Sequence, residues 1–314
     1  MSFPIARFRF KFRAITEVHL PDYSGSTFRG AFGNVLKKAV CIRSDRNCEN
    51  CLIRDTCIYL WIFETPTPND SAFLKKSGAA PHPFIFEPDT HHYQKNLSAG
   101  DPFHLDVVLL GKGIDYLPYF AYGFDRIGRY GLGKGRGKSE LVDIIDLLSN
   151  ERKSIYKAGE KILIGSIAKK YSYQFAEDPK IDSAQTITLE FVTPMRMKRN
   201  GHYLSKLAFD DLITAALRRI FLLNHYYGDG KGDFDHKRFI ELAKKVNVRS
   251  DDTHWHDWQR YSHRQRTKMS LGGIVGHIQY EGDFREFLPI LRLGEIIHIG
   301  KNTSFGLGKY RILK

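Results

Sequence analysis

The chain has 314 residues, 42% of them hydrophobic and 26% charged, which gives an ordinary globular protein material for two domains and excludes a small stapled scaffold, a disordered chain and a fibrous rod. Lysine and arginine number 48 against 35 acidic residues, a formal charge of +13 whose field draws polyanions, nucleic acid first among them. No run reaches the roughly 18 apolar residues that cross a bilayer, and Met1-Ser2-Phe3-Pro4-Ile5-Ala6-Arg7 carries no apolar leader, so the cytoplasm is expected, with no membrane partner.

Residues 5–15 alternate as a basic strand with Phe8, Phe10 and Phe12 on one face. After the start signal Ser24-Gly25-Ser26, Phe28, Phe32, Val35, Leu36 and Ala39 recur at helical spacing. The spacing Cys41-x6-Cys48-x2-Cys51-x5-Cys57 then gathers every cysteine into one short segment. Four thiolates so placed suit a structural zinc ion or an iron–sulfur cluster, and spacing alone does not separate the two; reduced thiols or a local disulfide are the plainer reading.

A strand is expected at 103–110, a helix at 115–127 and, beyond Tyr130-Gly131-Leu132-Gly133-Lys134, a strand at 139–145. Residues 148–184 are charged and weakly periodic, an extension of the first domain followed by a linker. The order then recurs: a strand at 186–192, a helix carrying Leu207, Leu212, Ala215, Ala216, Ile220 and Leu223, an exposed glycine loop at 227–233, a strand at 274–280 and a helix around Phe287-Leu288-Pro289-Ile290-Leu291. Phe305-Gly306-Leu307-Gly308-Lys309 and a last strand at 310–313 end the chain. With one further strand hidden in each half, the reading is α+β: two tandem ferredoxin-like domains, 1–150 and 185–314, each with an antiparallel sheet covered by helices on one face and free on the other, and a C-terminal glycine-rich loop.

Gly135-Arg136-Gly137-Lys138-Ser139 resembles the end of a phosphate loop, but Leu132 stands where a glycine is required and the order is helix to strand, so nucleotide binding is rejected. What remains is a turn carrying Arg126, Arg129, Lys134, Arg136 and Lys138 with no acidic residue from 126 to 138, able to meet RNA phosphates or simply solvated. A second basic set is Arg260, Arg264, Arg266 and Lys268, interleaved with Tyr261 and His263, and a third is Arg196, Lys198 and Arg199. The loop 300–308 adds Lys301, Ser304 and Phe305, the last either stacking on a base or anchoring the core. His254 and His256, interrupted by Trp255, read as a surface turn and not as a second metal site.

Taken together, the duplicated halves, the glycine loop 300–308 and the basic segment 260–268 resemble the CRISPR-associated RAMP superfamily, in particular its repeat-RNA-processing endoribonucleases, through residues 20–57, 83–88, 115–138 and 258–310. The resemblance implies CRISPR repeat RNA and other effector subunits as partners. It also implies metal-independent cleavage of precursor RNA within repeats, with 2′-OH attack, a 2′,3′-cyclic phosphate product and a retained guide. Such enzymes draw their acid, base and cation from the first helix and its surroundings, frequently with a histidine; here Asn34 stands where that histidine is expected, sharing a helix face with Lys37. Asn34, Lys37 and His19 are therefore the catalytic candidates, with impaired activity expected from an asparagine that cannot titrate; for His19 an exposed strand-end histidine is the plainer reading. The alternative is a non-catalytic RAMP subunit that binds guide RNA within an effector complex. A metal-dependent DNA-binding regulator lacks a helix-turn-helix or finger histidines.

Overall fold

A computed structural model describes residues 3–65, 80–89, 96–149, 151–164, 171–172, 185–230, 235–262 and 267–313, the side chains of 171–172, 259–262 and 267–269 excepted. The chain divides into two compact units, 3–172 and 173–314 with residues 1–2.

In the first unit β1 (Pro4–Ala14) is followed by the short β2 (Val18–His19), α1 (Gly25–Val40), β3 (Phe84–Pro88), the short β4 (Asn96–Leu97), β5 (Pro102–Leu110), α2 (Leu117–Tyr130) and β6 (Ser139–Asp146). The main sheet runs β3-β5-β1-β6, every neighbour antiparallel, which is the ferredoxin-like order. Three two-residue strands complete the unit: β7 (Tyr156–Lys157) pairs with β8 (Ile162–Leu163), and β9 (Tyr171–Ser172) pairs with the start of β1. Phe8, Phe10 and Phe12 are all buried on one face, and the rings of Phe10 and Phe12 meet Phe124 of α2 while Phe12 also meets Phe28 of α1. Phe32 sits at the centre, within 6.4 Å of the rings of Phe63, Phe84, Phe86, Phe120 and Phe124.

The opposite face of this sheet is not the free basic surface expected. Arg9 grips Asp106 with two bonds of 2.7 and 2.9 Å, Arg7 reaches Glu87 at 2.7 Å, and Lys11 and Arg13 stand 3.7 Å from Asp143 and Glu140. Asp106 and Glu87 are almost wholly buried, so these cations are committed to carboxylates that cannot be left alone. The Asp106 bond holds the Arg9 guanidinium above its ordinary value.

The second unit repeats the plan with β10 (Thr186–Met195), the hairpin β11 (Lys198–Arg199) and β12 (His202–Tyr203), α3 (Phe209–Tyr227), α4 (His236–Ala243), β13 (Asn247–His256), the hairpin β14 (Gln259–Ser262) and β15 (Thr267–Ser270), β16 (Gly273–Glu281), α5 (Leu288–Ile297) and β17 (Tyr310–Leu313). Its sheet order, β13-β16-β10-β17, is again ferredoxin-like. His254 and His256 belong to β13, not to a surface turn: the strand pairs with β16 from Asn247↔Glu281 to His256↔Gly273. Across the face away from the helices, Asp252, His277, Glu190 and Arg311 are cross-strand neighbours, so acidic groups balance this face too. Among the described residues no helix is long and apolar enough to cross a membrane.

Candidate nucleic-acid interface

Both sheets set carboxylates beside their cations, so the exposed cations without an acidic partner among the described residues are sought in the loops and the short hairpins. In the first unit, residues 131–138 fold back against residues 15–19: Lys134 N–H donates to the His19 carbonyl at 2.9 Å, and the main chains of Ile15 and Thr16 donate to the Lys138 carbonyl. Only glycines admit this approach. A Cβ at Gly133, where φ is +74°, would lie 2.0 Å from the His19 carbonyl oxygen, and one at Gly137 2.2 Å from that of Glu17. The loop thereby sets Lys134, Arg136 and Lys138, all exposed and without an acidic partner among the described residues, alongside His19. The His19 ring is also fixed. Its Nδ1 is 2.8 Å from Asn96 Oδ1 across the β2–β4 pair, and its Nε2 is 3.5 Å from a Glu17 carboxylate oxygen. A positioned imidazole beside three cations has the parts that proton transfer at a phosphodiester needs.

Arg126 and Arg129 stand apart from that loop, on α2. Arg129 pairs with Asp125 at 3.1 Å, while Arg126 donates to the Tyr122 hydroxyl, a bond that raises it above the usual arginine value. Together with Lys161 and Tyr156 they line a groove of about 450 Å³.

The other two catalytic candidates are placed differently. Asn34 is exposed on α1, and one turn on, the Lys37 ammonium lies 5.1 Å from the Tyr59 ring, facing the cysteine segment. No described contact joins either to His19. All four of Cys41, Cys48, Cys51 and Cys57 are unpaired and line one cavity of about 10 Å³ with Lys37 and Tyr59. Among the described residues no three His, Cys, Asp or Glu side chains are already drawn together as metal ligands.

In the second unit the basic segments converge on Arg196. Its carbonyl accepts from Lys301 N–H at 2.9 Å, its guanidinium bonds the Ser270 carbonyl at the base of the β14–β15 hairpin, and the same guanidinium stacks 4.0 Å from the Tyr203 ring centroid. Gly300, at φ +96°, is the residue that lets the loop reach it, since a Cβ there would fall 2.7 Å from the Arg196 carbonyl oxygen. Arg196 is consequently buried, a hub and not a surface cation; Lys198 and Lys301 are the exposed charges it sets out. Ser304 and Phe305 are also buried, at 6% and 8% exposure, so Phe305 anchors the core and the Ser304 side chain lies beneath the surface. Arg199 is tied to Asp210 and Asp211. Arg260 and Lys268 fall on the β14–β15 strands with side chains outside the description, and Arg264 and Arg266 lie outside the described residues.

Residues 3–170, more than half of the chain, match the family model AF_1859_N, described as an N-terminal domain. Residues 189–310 match the model of the CRISPR-associated endoribonuclease Cas6. The chain belongs to the AF_1859 family and carries a Cas6 domain. The resemblance to RAMP-type repeat-RNA-processing proteins therefore holds, and at this level the Cas6 domain assigns the chain to CRISPR RNA processing or RAMP-type RNA binding. An uncharacterized protein of Archaeoglobus fulgidus is 28% identical over 317 residues, 99% of each chain. Among solved structures, the fold matches a Thermus thermophilus Cas6 in its product complex with a TM-score of 0.54 at 13% identity over 99% of each chain. It also matches a partial Cas6-RT-Cas1–Cas2 complex at 0.60 and 12% identity; there the match spans 99% of this chain but 46% of the longer one. At these identities the likeness shows the tandem ferredoxin-like fold. Tyr203 and Trp255, exposed beside the Arg196 hub, are placed together in a way the sequence reading missed; the hairpin signal Asn200-Gly201 was available to find the first.

Proposed function

We propose that this chain binds CRISPR repeat RNA and cleaves the precursor slowly within its repeats, keeping the guide for effector proteins of the same system. The observation that carries the binding is the convergence of three basic segments on Arg196 within the Cas6 domain. The family match and a structural neighbour solved as a product complex support the reading. In the reaction the 2′-oxygen gives up its proton and attacks the adjacent phosphorus, the P–O5′ bond breaks, and O5′ takes a proton, leaving a 2′,3′-cyclic phosphate and a 5′-hydroxyl. His19 Nε2 is the proton carrier in this scheme and Lys134 and Arg136 offset the phosphate charge; position 34 is the second candidate site, where Asn34 can hydrogen-bond a phosphate or hydroxyl but cannot relay a proton.

The test incubates purified protein with its repeat RNA in EDTA. Binding should exceed that of random RNA of equal length and weaken steeply with salt, by a log–log slope of about 0.7 per phosphate contact for single strands. Cleavage should be slow, fall by about 100-fold in His19→Ala and rise at least about tenfold in Asn34→His with RNA affinity unchanged. Salt-independent binding no better than random RNA refutes the binding; robust cleavage indifferent to both substitutions refutes both catalytic assignments. That Asn34 is exposed and no described contact joins it to His19 favours a second reading, a non-catalytic RAMP subunit that holds guide RNA. No cleavage by the chain or by Asn34→His, with specific binding intact, selects it.

The cysteine lobe belongs to the same proposal as a structural metal site. Cys41, Cys48, Cys51 and Cys57 line one cavity, four soft donors that would hold a structural zinc ion or an iron–sulfur cluster. Elemental analysis should find zinc or iron bound to the chain, lost in Cys48→Ser, with cleavage unchanged by its removal. A brown, iron-containing protein would assign a cluster, and metal-free protein from chelator-free purification would remove the site.

A further inference from the structure

Two exposed aromatic rings beside Arg196 are arranged as a pair. Tyr203 is 41% exposed and Trp255 39%, with ring centroids 6.4 Å apart and planes at 54°. They come from elements far apart in sequence. Tyr203 is delivered by the β11–β12 hairpin, whose turn uses Asn200 and Gly201 at φ +52° and +86°, the left-handed pair that a tight two-residue hairpin requires. The β-α-β-β-α-β plan has no need of a hairpin there; what it adds is Lys198 and Tyr203, which are paired across it. Trp255 is at the end of β13, where Gly272 makes room for the indole: a Cβ on that glycine would come 2.9 Å from Nε1.

The neighbours of the pair are cationic. Arg196 backs the Tyr203 ring at 4.0 Å, fixed in place by its bond to the Ser270 carbonyl, and the Lys198 ammonium stands 4.5 Å from the same ring. Neither Lys198 nor Lys301, bonded through its main chain to Arg196, has an acidic partner among the described residues. Rigid rings with mobile ammonium groups at their border suit one class of ligand, a nucleotide whose base is out of a helix: every base has a π face to stack, and its phosphate lies within reach of a cation. A duplex hides those faces.

We infer that Tyr203 and Trp255 form a stacking platform for an unpaired base of the bound RNA, with Lys198 and Lys301 on its phosphates. The inference rests on the RNA-binding reading above and adds that the second unit holds single-stranded RNA. The test is the affinity of the full chain for a fluorescent unpaired RNA oligonucleotide and for a blunt RNA duplex, over a range of salt. Tyr203→Ala and Trp255→Ala should each weaken the unpaired oligonucleotide by about 5- to 100-fold, leave the duplex within about twofold and leave the salt slope unchanged, because a ring carries no charge. Tyr203→Phe and Trp255→Phe should retain most of the affinity, whereas Lys198→Ala should lower the salt slope. If an alanine variant fails to fold, the native chain still decides: the unpaired oligonucleotide should quench a tryptophan signal that Trp255→Phe removes. Alanine variants that bind within twofold of the native chain, duplex binding that falls in parallel, or an absent quench overturn the platform. Failure of the native chain to bind either RNA is a failure of the RNA-binding reading itself.

Discussion

Gly308→Ala should disable the RNA-binding loop of the second unit. At φ +76° a side chain is already strained, and the new Cβ would sit 1.8 Å from the Ile299 carbonyl oxygen, inside any allowed contact. The collision cannot be relieved by a rotamer, because both parties are main chain and both are bonded: Ile299 N–H donates to the Gly308 carbonyl at 3.0 Å and Gly308 N–H to the Pro194 carbonyl at 3.1 Å. Left-handed strain and overpacking together should cost at least about 2–4 kcal/mol. Residue 194 is two positions before Arg196, so the displacement reaches the hub directly. Urea unfolding of the full chain should show the loss in the second unit, and repeat-RNA affinity should fall even where the variant remains folded. A variant with native stability and native affinity would mean that the loop tolerates a side chain, and the close approach described for it would be wrong.

Phe32→Ala should cost the first unit about 3–5 kcal/mol. Phe32 has no exposed surface, stacks on Phe120 with centroids 4.6 Å apart and touches four further phenylalanines, so its removal leaves a cavity walled by rigid rings that cannot collapse into it. A loss of this size takes much of the stability of a typical domain, about 5–15 kcal/mol. Gly123 offers an internal control. A Cβ at that position would lie 2.6 Å from the Phe32 ring, so Gly123→Ala should destabilise the native chain yet be tolerated in Phe32→Ala, where the ring is gone. Denaturant melts of the two single variants and the double variant measure the coupling. Additive losses would show that the ring and the glycine do not face each other.

The duplication was legible because it is written in local pattern. Phe8, Phe10 and Phe12 alternate, the two glycine loops repeat, and each pair of helices keeps its apolar spacing. The two strands left hidden escaped for opposite reasons. Phe84–Pro88 is buried throughout and so has no alternation, while Asn247–His256 is nearly all exposed, a polar run made a strand by its register against Gly273–Glu281. The basic clusters were legible as clusters, but their fates were not. Four cations on β1 are consumed by carboxylates far along the chain, at Glu87, Asp106, Glu140 and Asp143, Arg196 is buried as a hub, and only contacts among residues 196, 270 and 300 reveal that three sequence segments make one site. His19 was legible as a residue and not as a geometry, since Asn96 and the Gly133 approach that hold it lie far along the chain.

The ion pairs along β1 also bear on how the sheet finds its alignment. Phenylalanines at 8, 10 and 12 alternate with Arg7, Arg9, Lys11 and Arg13, and each class has its own wall: rings of the helices on one side, Glu87, Asp106, Asp143 and Glu140 on the other. A shift of one residue against β5 and β6 would drive guanidinium groups among the rings and turn the rings toward carboxylates, unfavourable on both faces at once. A shift of two residues restores the faces and sets Arg7 or Lys11 opposite Asp106, so it exchanges one cation for another and loses the two-bond Arg9 grip, not the neutralisation itself. The central strand therefore works as a two-sided key: ring against ring on one face and cation against carboxylate on the other both reject every odd misalignment, and the bidentate Arg9–Asp106 geometry marks the native register among the even ones.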